Sequence, residues 1–170
     1  DPDAQDQHET VSCVGVNLAN QVILALEDMT PLAETGLRFR HSLYEFHPTN
    51  IAFMALAKIG ALPIEVVDTK DPEAMMVSQF AWVTLGELNY LTTPGESFPH
   101  FAQVMSDVLT DAGYTNPIVL GLTQDWIGYV LSDDNWADEE SDIGYHKGLC
   151  ASDNLEQPFK AALKALIAAD

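Results

Sequence analysis

Hydrophobic and polar positions along the chain fall into alternating helical and extended patterns. From about Glu9 to Asp28, Val11, Val14, Leu18, Val22 and Leu26 recur at steps of three and four, the period of one helix face. Thr30-Pro31 ends that helix, because the residue before a proline is biased away from helical backbone. From Gly36 to Phe46 the pattern changes to alternation, which predicts a half-buried strand, broken at Pro48. Asn50 is placed to cap a second helix running to about Ile59, with Gly60 as its stop. Pro63 to Val67 reads as a short strand or an extended connector, and residues 68–78, with Pro72, as a polar connection.

The middle and end of the chain continue in the same way. Phe80–Leu85 and Leu88–Thr93 predict two strands joined at Gly86-Glu87, the length of a tight hairpin turn. Phe98, Phe101, Val104, Met105, Val108 and Leu109 keep a helical period to Ala112, and Gly113 closes it. After the Asn116-Pro117 turn, Ile118–Leu122 is continuously apolar, the pattern of a strand buried on both faces. Residues 123–152 have no clear period. Asp153-Asn154-Leu155-Glu156 has the form of a capping box opening a last helix through Phe159, Leu163, Leu166 and Ile167. Alternating strands and helices place the chain in the α/β class, a mixed sheet flanked by helices.

Composition narrows the partners. The 170 residues carry 7 Lys+Arg against 26 Asp+Glu, a formal charge of −19. Neither a nucleic-acid backbone nor an anionic membrane surface is met by so few basic groups. With 47% hydrophobic residues the chain is not a disordered acidic tail. The charge fits an ordinary acidic surface or a salty, cation-rich environment that screens it. No run of about 18 apolar residues stands out, so no transmembrane segment is expected. The start, Asp1-Pro2-Asp3, has no initiator Met and no signal-peptide pattern, which implies a trimmed or truncated chain. Cys13 and Cys150 are compatible with one long-range disulfide or with two free thiols.

Several residues are candidates for chemistry. In Thr92-Thr93-Pro94-Gly95-Glu96 the glycine permits an unusual backbone, and Glu96 is projected from a strand end at or near the next helix. A carboxylate held there suits a metal ligand; the plainer alternative is a surface glutamate opening a helix. Gly121 to Val130 leaves the most apolar strand of the chain and carries Trp126 and Tyr129. Such a tyrosine donates, accepts, ligates or simply covers the core. His8, His41, His47, His100 and His146 have no paired metal spacing. His41 is expected on the polar face of its strand, and His100, four residues after Glu96, on the same helix side if that helix starts early. The acid-rich run 133–142 is a solvated loop or a Ca²⁺ collector without EF-hand spacing. No nucleophile elbow, GxGxxG or Walker A loop is present.

The order of these segments resembles the C-terminal part of the catalytic domain of the neutral/alkaline (non-lysosomal) ceramidase family. The resemblance is carried by the strand running into Pro94-Gly95-Glu96, the helix after it, and the apolar strand ending in Gly121-Leu122. Tyr129-Val130-Leu131-Ser132 and the later Tyr145 to Ser152 complete it, and together these segments cover most of the chain. The resemblance implies a zinc-dependent amidohydrolase acting on ceramide or a related N-acyl lipid, in an extracytoplasmic or secreted setting. It implies Glu96 and Tyr129 as zinc ligands, separated by 129 − 96 = 33 residues, with Tyr129 also available to the oxyanion and Trp126 as a wall for the acyl chain. Two further histidine ligands are expected upstream of Asp1, in a missing N-terminal part of the same domain. Residues 1–170 would then be one segment of that domain, inactive and incompletely stable alone. The arginine-rich start of the family's following helix is replaced by Ser97-Phe98-Pro99-His100. The alternatives are a non-catalytic relative that binds a ligand, or a Ca²⁺-binding interaction module at 133–142.

Overall fold

A computed structural model describes residues 2–33, 36–67, 73–139 and 142–169. Part of the polar stretch, with Pro72, and Glu140-Ser141 of the acidic run lie outside these residues. The chain forms two compact units, Asp1–Ala33 and Glu34–Asp170.

The first unit is one helix, α1 (Pro2–Glu27). Its apolar residues do not stay on one stripe: Val16, Ile23 and Leu24 join Val11, Val14, Leu18, Val22 and Leu26, and all are exposed. The stretch Gln7–Glu27 is therefore long and apolar enough, by length and composition, to cross a membrane. No membrane crossing follows from length and composition alone, so the expectation of no transmembrane segment is neither met nor overturned. Interspersed Ser12, Asn17, Asn20 and Gln21 conceal the stretch when unbroken apolar runs are sought.

The second unit is an α/β layer structure. Its sheet contains β1 (Leu37–Phe46), β2 (Glu65–Val67), β3 (Met75–Leu85), β4 (Leu88–Thr92) and β6 (Pro117–Leu120), in the order β1-β3-β4-β6 with β2 also on β3. β1, β2 and β4 are antiparallel to β3, and β6 is parallel to β4. The tight hairpin is present, with Leu85 opposite Leu88 and Gly86 at φ +57°. β3 is longer than its sequence predicts, and it pairs with all ten residues of β1, from Leu37↔Leu85 to Phe46↔Met76. β6 is not buried on both faces: it is an edge strand whose Ile118 and Leu120 are about two-fifths exposed.

Helices cover one face of this sheet. α3 (Pro99–Asp111) lies against β6, and α6 (Glu156–Ala168) against β1 and α3. Even-numbered residues of β1 and β3 point to this side, and Phe46, Met76, Phe80 and Trp82 are fully buried there with Phe101, Met105, Phe159 and Leu163. The Phe80 and Phe159 rings stack at 4.4 Å, and Tyr44 meets Phe159 edge-on at 5.3 Å. Complete burial of a large side chain stabilises by roughly 1.5–3 kcal/mol, so this layer dominates the energetics of the unit.

Caps explain the remaining boundaries. α2 (Ile51–Lys58) starts where Asn50 accepts hydrogen bonds from the Ala52 and Phe53 amides at 3.1 and 3.4 Å. The expected capping box at 153–156 does not form. Leu155 occupies the N-cap of α6, and Glu156 is buried, accepting from the Asp133 amide at 2.9 Å and pairing with Lys160 at 3.6 Å. The capping box occurs instead at Ser132 and Asn135, opening the short α4 (Asp133–Ala137). The stretch without period thus contains α4, α5 (Gly144–Gly148) and β7 (Tyr129–Val130), elements too short to establish one.

Candidate functional site

At its carboxyl end, β4 leads through Thr93-Pro94-Gly95 into β5 (Glu96–Ser97), which pairs in parallel with β7 and sets Glu96 opposite Tyr129. Four stretches of backbone hold this place. The Thr93 amide donates to Leu120 O at 2.8 Å and the Leu122 amide to Gly95 O at 2.9 Å. On the other side the Ile127 amide donates to Pro94 O at 2.9 Å and the Glu96 amide to Gly128 O at 3.0 Å. The Tyr129 amide then donates to Leu149 O at 3.2 Å.

Glycine is required here by proximity. A Cβ on Gly95 would overlap Gly128 O and crowd Val130, and one on Gly128, already at φ +83°, would overlap Leu149 O. The need for Gly95 is therefore close approach of neighbouring backbone and not a left-handed conformation. Leu122 and Gln124, at φ +54° and +71°, are in the left-handed region in the loop that follows β6, a conformation seldom adopted by residues other than glycine.

Two predicted residues are brought together by this scaffold. The Tyr129 phenol lies close enough to the Glu96 carboxylate to feel its charge. Partial desolvation, then the Glu96 charge beside it, push the phenol above its ordinary value, so it stays protonated. Glu96 itself is exposed. It sits in β5 and not at a helix start, since α3 begins at Pro99; the helix-dipole argument for its ionisation therefore falls away.

Around Tyr129 stand rings that the sequence does not single out. His146 meets the Tyr129 ring edge-on at 4.7 Å, Phe98 at 5.1 Å and Tyr145 at 5.4 Å. Phe98 and Tyr145 also approach Tyr129, at 6.0 and 6.3 Å. The Nδ1 atom of His146 is buried with no hydrogen-bond partner. The available signal is the Tyr145-His146 pair opening the small-residue run before the last helix, but nothing local ties it to Tyr129.

Other candidates lie elsewhere. Trp126 is 48% exposed and packs on Phe53 at 5.8 Å, apart from the Tyr129 ring cluster. His100 does not turn toward Glu96; it bonds Ser132 Oγ at 2.7 Å and approaches Asp134 at 3.7 Å. His41 donates to Gln79 at 2.8 Å and shares its strand face with Leu37, Phe39 and Leu43, which is not a polar face. Within the acidic run, Asp133 accepts from Gln157 and Asp134 faces His100, while Lys147 bonds the Asp138 backbone carbonyl at 3.0 Å. Cys13 and Cys150 are both free thiols; Cys150 is buried and donates to His146 O at 3.2 Å.

A carboxylate and a phenol side by side are hard oxygen donors suited to a divalent cation, one negative and one that binds after losing its proton. Among the described residues no three His, Cys, Asp or Glu side chains converge, so Glu96 and Tyr129 form part of a ligand set at most.

No family model matches the chain. No curated protein matches it either. Among solved structures, it is similar to neutral ceramidase from Pseudomonas aeruginosa and to a ceramidase complexed with C2, each at 16% identity and a TM-score of 0.44 over 55% of this chain. The chain spans 15% of the length of those two proteins.

Proposed function

We propose that this chain is one segment of a zinc-dependent hydrolase of the ceramidase kind, to which it contributes Glu96 and Tyr129 as two metal ligands. The observation carrying this reading is their juxtaposition. Residues 33 apart in sequence (129 − 96), singled out by the segment order, meet as a registered pair on neighbouring strands. The reading places two histidine ligands in polypeptide outside residues 1–170, and a ceramide or related N-acyl lipid as the substrate.

Bound zinc supplies a water of lowered pKa and polarises the scissile carbonyl. The chain's own groups do the rest of the arranging. Glu96 is exposed, with its backbone fixed in β5 beside Tyr129. Tyr129 is held by the rings of Phe98, Tyr145 and His146, so its oxygen has one place to go. When it is off the metal and protonated, the phenol would be a donor to an oxyanion; as a ligand it is a phenolate and donates nothing. Trp126 offers an exposed apolar wall to an acyl chain.

The test uses the longest natural polypeptide that carries this chain. Zinc content is measured by mass spectrometry and amide hydrolysis on a fluorescent N-acyl sphingosine. Loss of a ligand is expected to reduce metal affinity and activity by at least about 100-fold in Glu96→Ala, more than the usual cost of disturbing a ligand's outer partners. Unchanged zinc and activity in that variant would overturn the assignment. Zinc binding without hydrolysis in the unaltered protein would replace it with a ligand-binding relative.

A further inference from the structure

Both arginines of the chain, Arg38 and Arg40, stand two residues apart on β1. They share the sheet face that α3 and α6 cover, but the cover runs out along the strand: Phe46 is fully buried, Arg40 half-buried and Arg38 exposed. At that end the face changes from apolar to polar. Arg38 is opposite Thr84 and Thr84 opposite Asn89, so one polar row crosses β1, β3 and β4. The turn after α3 brings Tyr114 and Thr115 to the same place, and these residues line a cavity of about 340 Å³.

Part of this wall is explained by packing. The Arg40 guanidinium lies over the Trp82 ring, 4.2 Å from its centroid, and the Tyr114 ring meets Trp82 edge-on at 4.4 Å. Asn89 accepts from Trp82 Nε1 at 3.3 Å and donates to Thr115 O at 2.7 Å, which fastens the turn to the sheet. Arg38 has no such role. Among the described residues no carboxylate comes within ion-pair distance of its guanidinium, although the chain has 26 acids to offer. Glu87 is at the rim of the cavity, exposed on the hairpin turn.

The chemistry of the pair selects the ligand. A guanidinium is planar, always charged, and donates in parallel to two oxygens of one group. One such fork already satisfies a carboxylate. A second guanidinium about 6.5–7 Å along the strand, with Thr84 and Thr115 in the same cavity, suits an acceptor with more oxygens and more charge. A phosphate monoester has three terminal oxygens and carries about −1.5 to −2 at neutral pH, which matches two guanidinium groups. The cavity exceeds what phosphate alone fills and falls in the usual range of small-molecule sites, roughly 300–1,000 Å³.

We propose that this cavity binds a small phosphorylated molecule, with Arg38 and Arg40 holding its phosphate. The site lies at the amino-terminal ends of β1 and β4, whereas Glu96 follows the carboxyl end of β4, so it is independent of the metal reading.

The test uses the longest natural polypeptide that carries this chain. It is titrated calorimetrically with glycerol 3-phosphate, inorganic phosphate and acetate at constant ionic strength. Glycerol 3-phosphate is expected to bind, and Arg38→Gln to weaken it at least about tenfold, as loss of hydrogen bonds to a charged group implies. Arg38→Lys keeps the charge but loses the fork, and is expected to weaken it about threefold or more. Acetate is expected to bind at least about tenfold more weakly than glycerol 3-phosphate. Glu96→Ala is expected to bind as the unaltered protein does. Arg38 is exposed, so both its variants are expected to keep the melting temperature; if Arg38→Gln loses it, Arg38→Lys decides. Unchanged binding in the deciding variant, absence of saturable binding, or acetate binding as well as glycerol 3-phosphate would overturn the proposal. So would binding of inorganic phosphate alone, or loss of binding in Glu96→Ala.

Discussion

The two faces of one strand, β3, behave as different materials. Its even residues Met76, Phe80 and Trp82 are fully buried, whereas Val83 and Leu85, one residue along, remain partly open. Composition does not distinguish the two sets, since both are apolar. What differs is the layer against them: α3 and α6 on one side, and no element of the unit on the other. Hydrophobicity alone therefore does not determine where stability resides. Area removed from water does, and it is removed more completely on the face under α3 and α6.

Substitution on the covered face breaks this contrast most strongly. Phe80 is fully buried, stacked on Phe159 at 4.4 Å and near Tyr44 at 6.1 Å. Phe80→Ala removes both the transfer energy and the ring contacts and leaves a cavity. The expected cost is about 3–5 kcal/mol, read as a fall in the urea midpoint at unchanged slope.

Next in size is the junction between the sheet and the carboxyl-terminal segments. Asn50 caps α2 through its side-chain oxygen while its Nδ2 donates to Gly148 O at 3.0 Å and Cys150 O at 2.9 Å. Asn50→Ala loses the cap, about 1 kcal/mol, and also strands those two carbonyls. A total of about 2 kcal/mol is expected by the same titration. Asn50→Asp keeps the cap and loses the donors, and it separates the two contributions.

Two thiols restate the contrast chemically. Burial pushes the Cys150 thiol up to about 12, while Cys13 is exposed on α1. At neutral pH iodoacetamide is expected to label Cys13 and spare Cys150, as mass spectrometry of tryptic peptides reports. The neutral form of Cys150 is favoured by folding. Its contribution is complete below the unfolded value, near 9, and is lost as pH rises from there towards 12. Stability is therefore expected to decline over that alkaline window, and Cys150→Ala should flatten the decline.

Much of this arrangement is legible in the sequence, and the failures share a cause. Asn50 acts through its side chain on the next amides, and Gly86 and Gly113 through their own backbone, so the α2 start, the hairpin and the end of α3 follow directly. β1 is different. Alternation defines its two faces, but Leu37, Phe39 and Leu43 make one as apolar as Tyr44 and Phe46 make the other, so the covering helices decide between them. β6 reads as interior because both its faces are apolar, and it lies at the edge because the strand after it, β7, pairs with β5 in a separate small sheet. At the candidate site, Glu96 and Tyr129 are visible one at a time. Their meeting depends on a two-residue parallel pairing, and Tyr145 and His146 are brought to it by bonds between residues 127–129 and 149–151. Local pattern carries no information about such contacts.

The smallest expected effect sharpens the comparison most. Leu43 is on β1 beside Tyr44, in the same strand and one residue away, but it is 59% exposed where Tyr44 is 5%. Leu43→Thr keeps branching suited to a strand and removes apolar surface that folding of this unit does not bury. A change within about 0.5 kcal/mol is expected, against several for Phe80→Ala. A cost near that of the covered face would mean that Leu43 is buried in solution. The asymmetry of the sheet would then have to be abandoned. A neutral outcome, combined with reduced binding of a hydrophobic dye, would locate the exposed apolar area on this face and leave stability with α3 and α6.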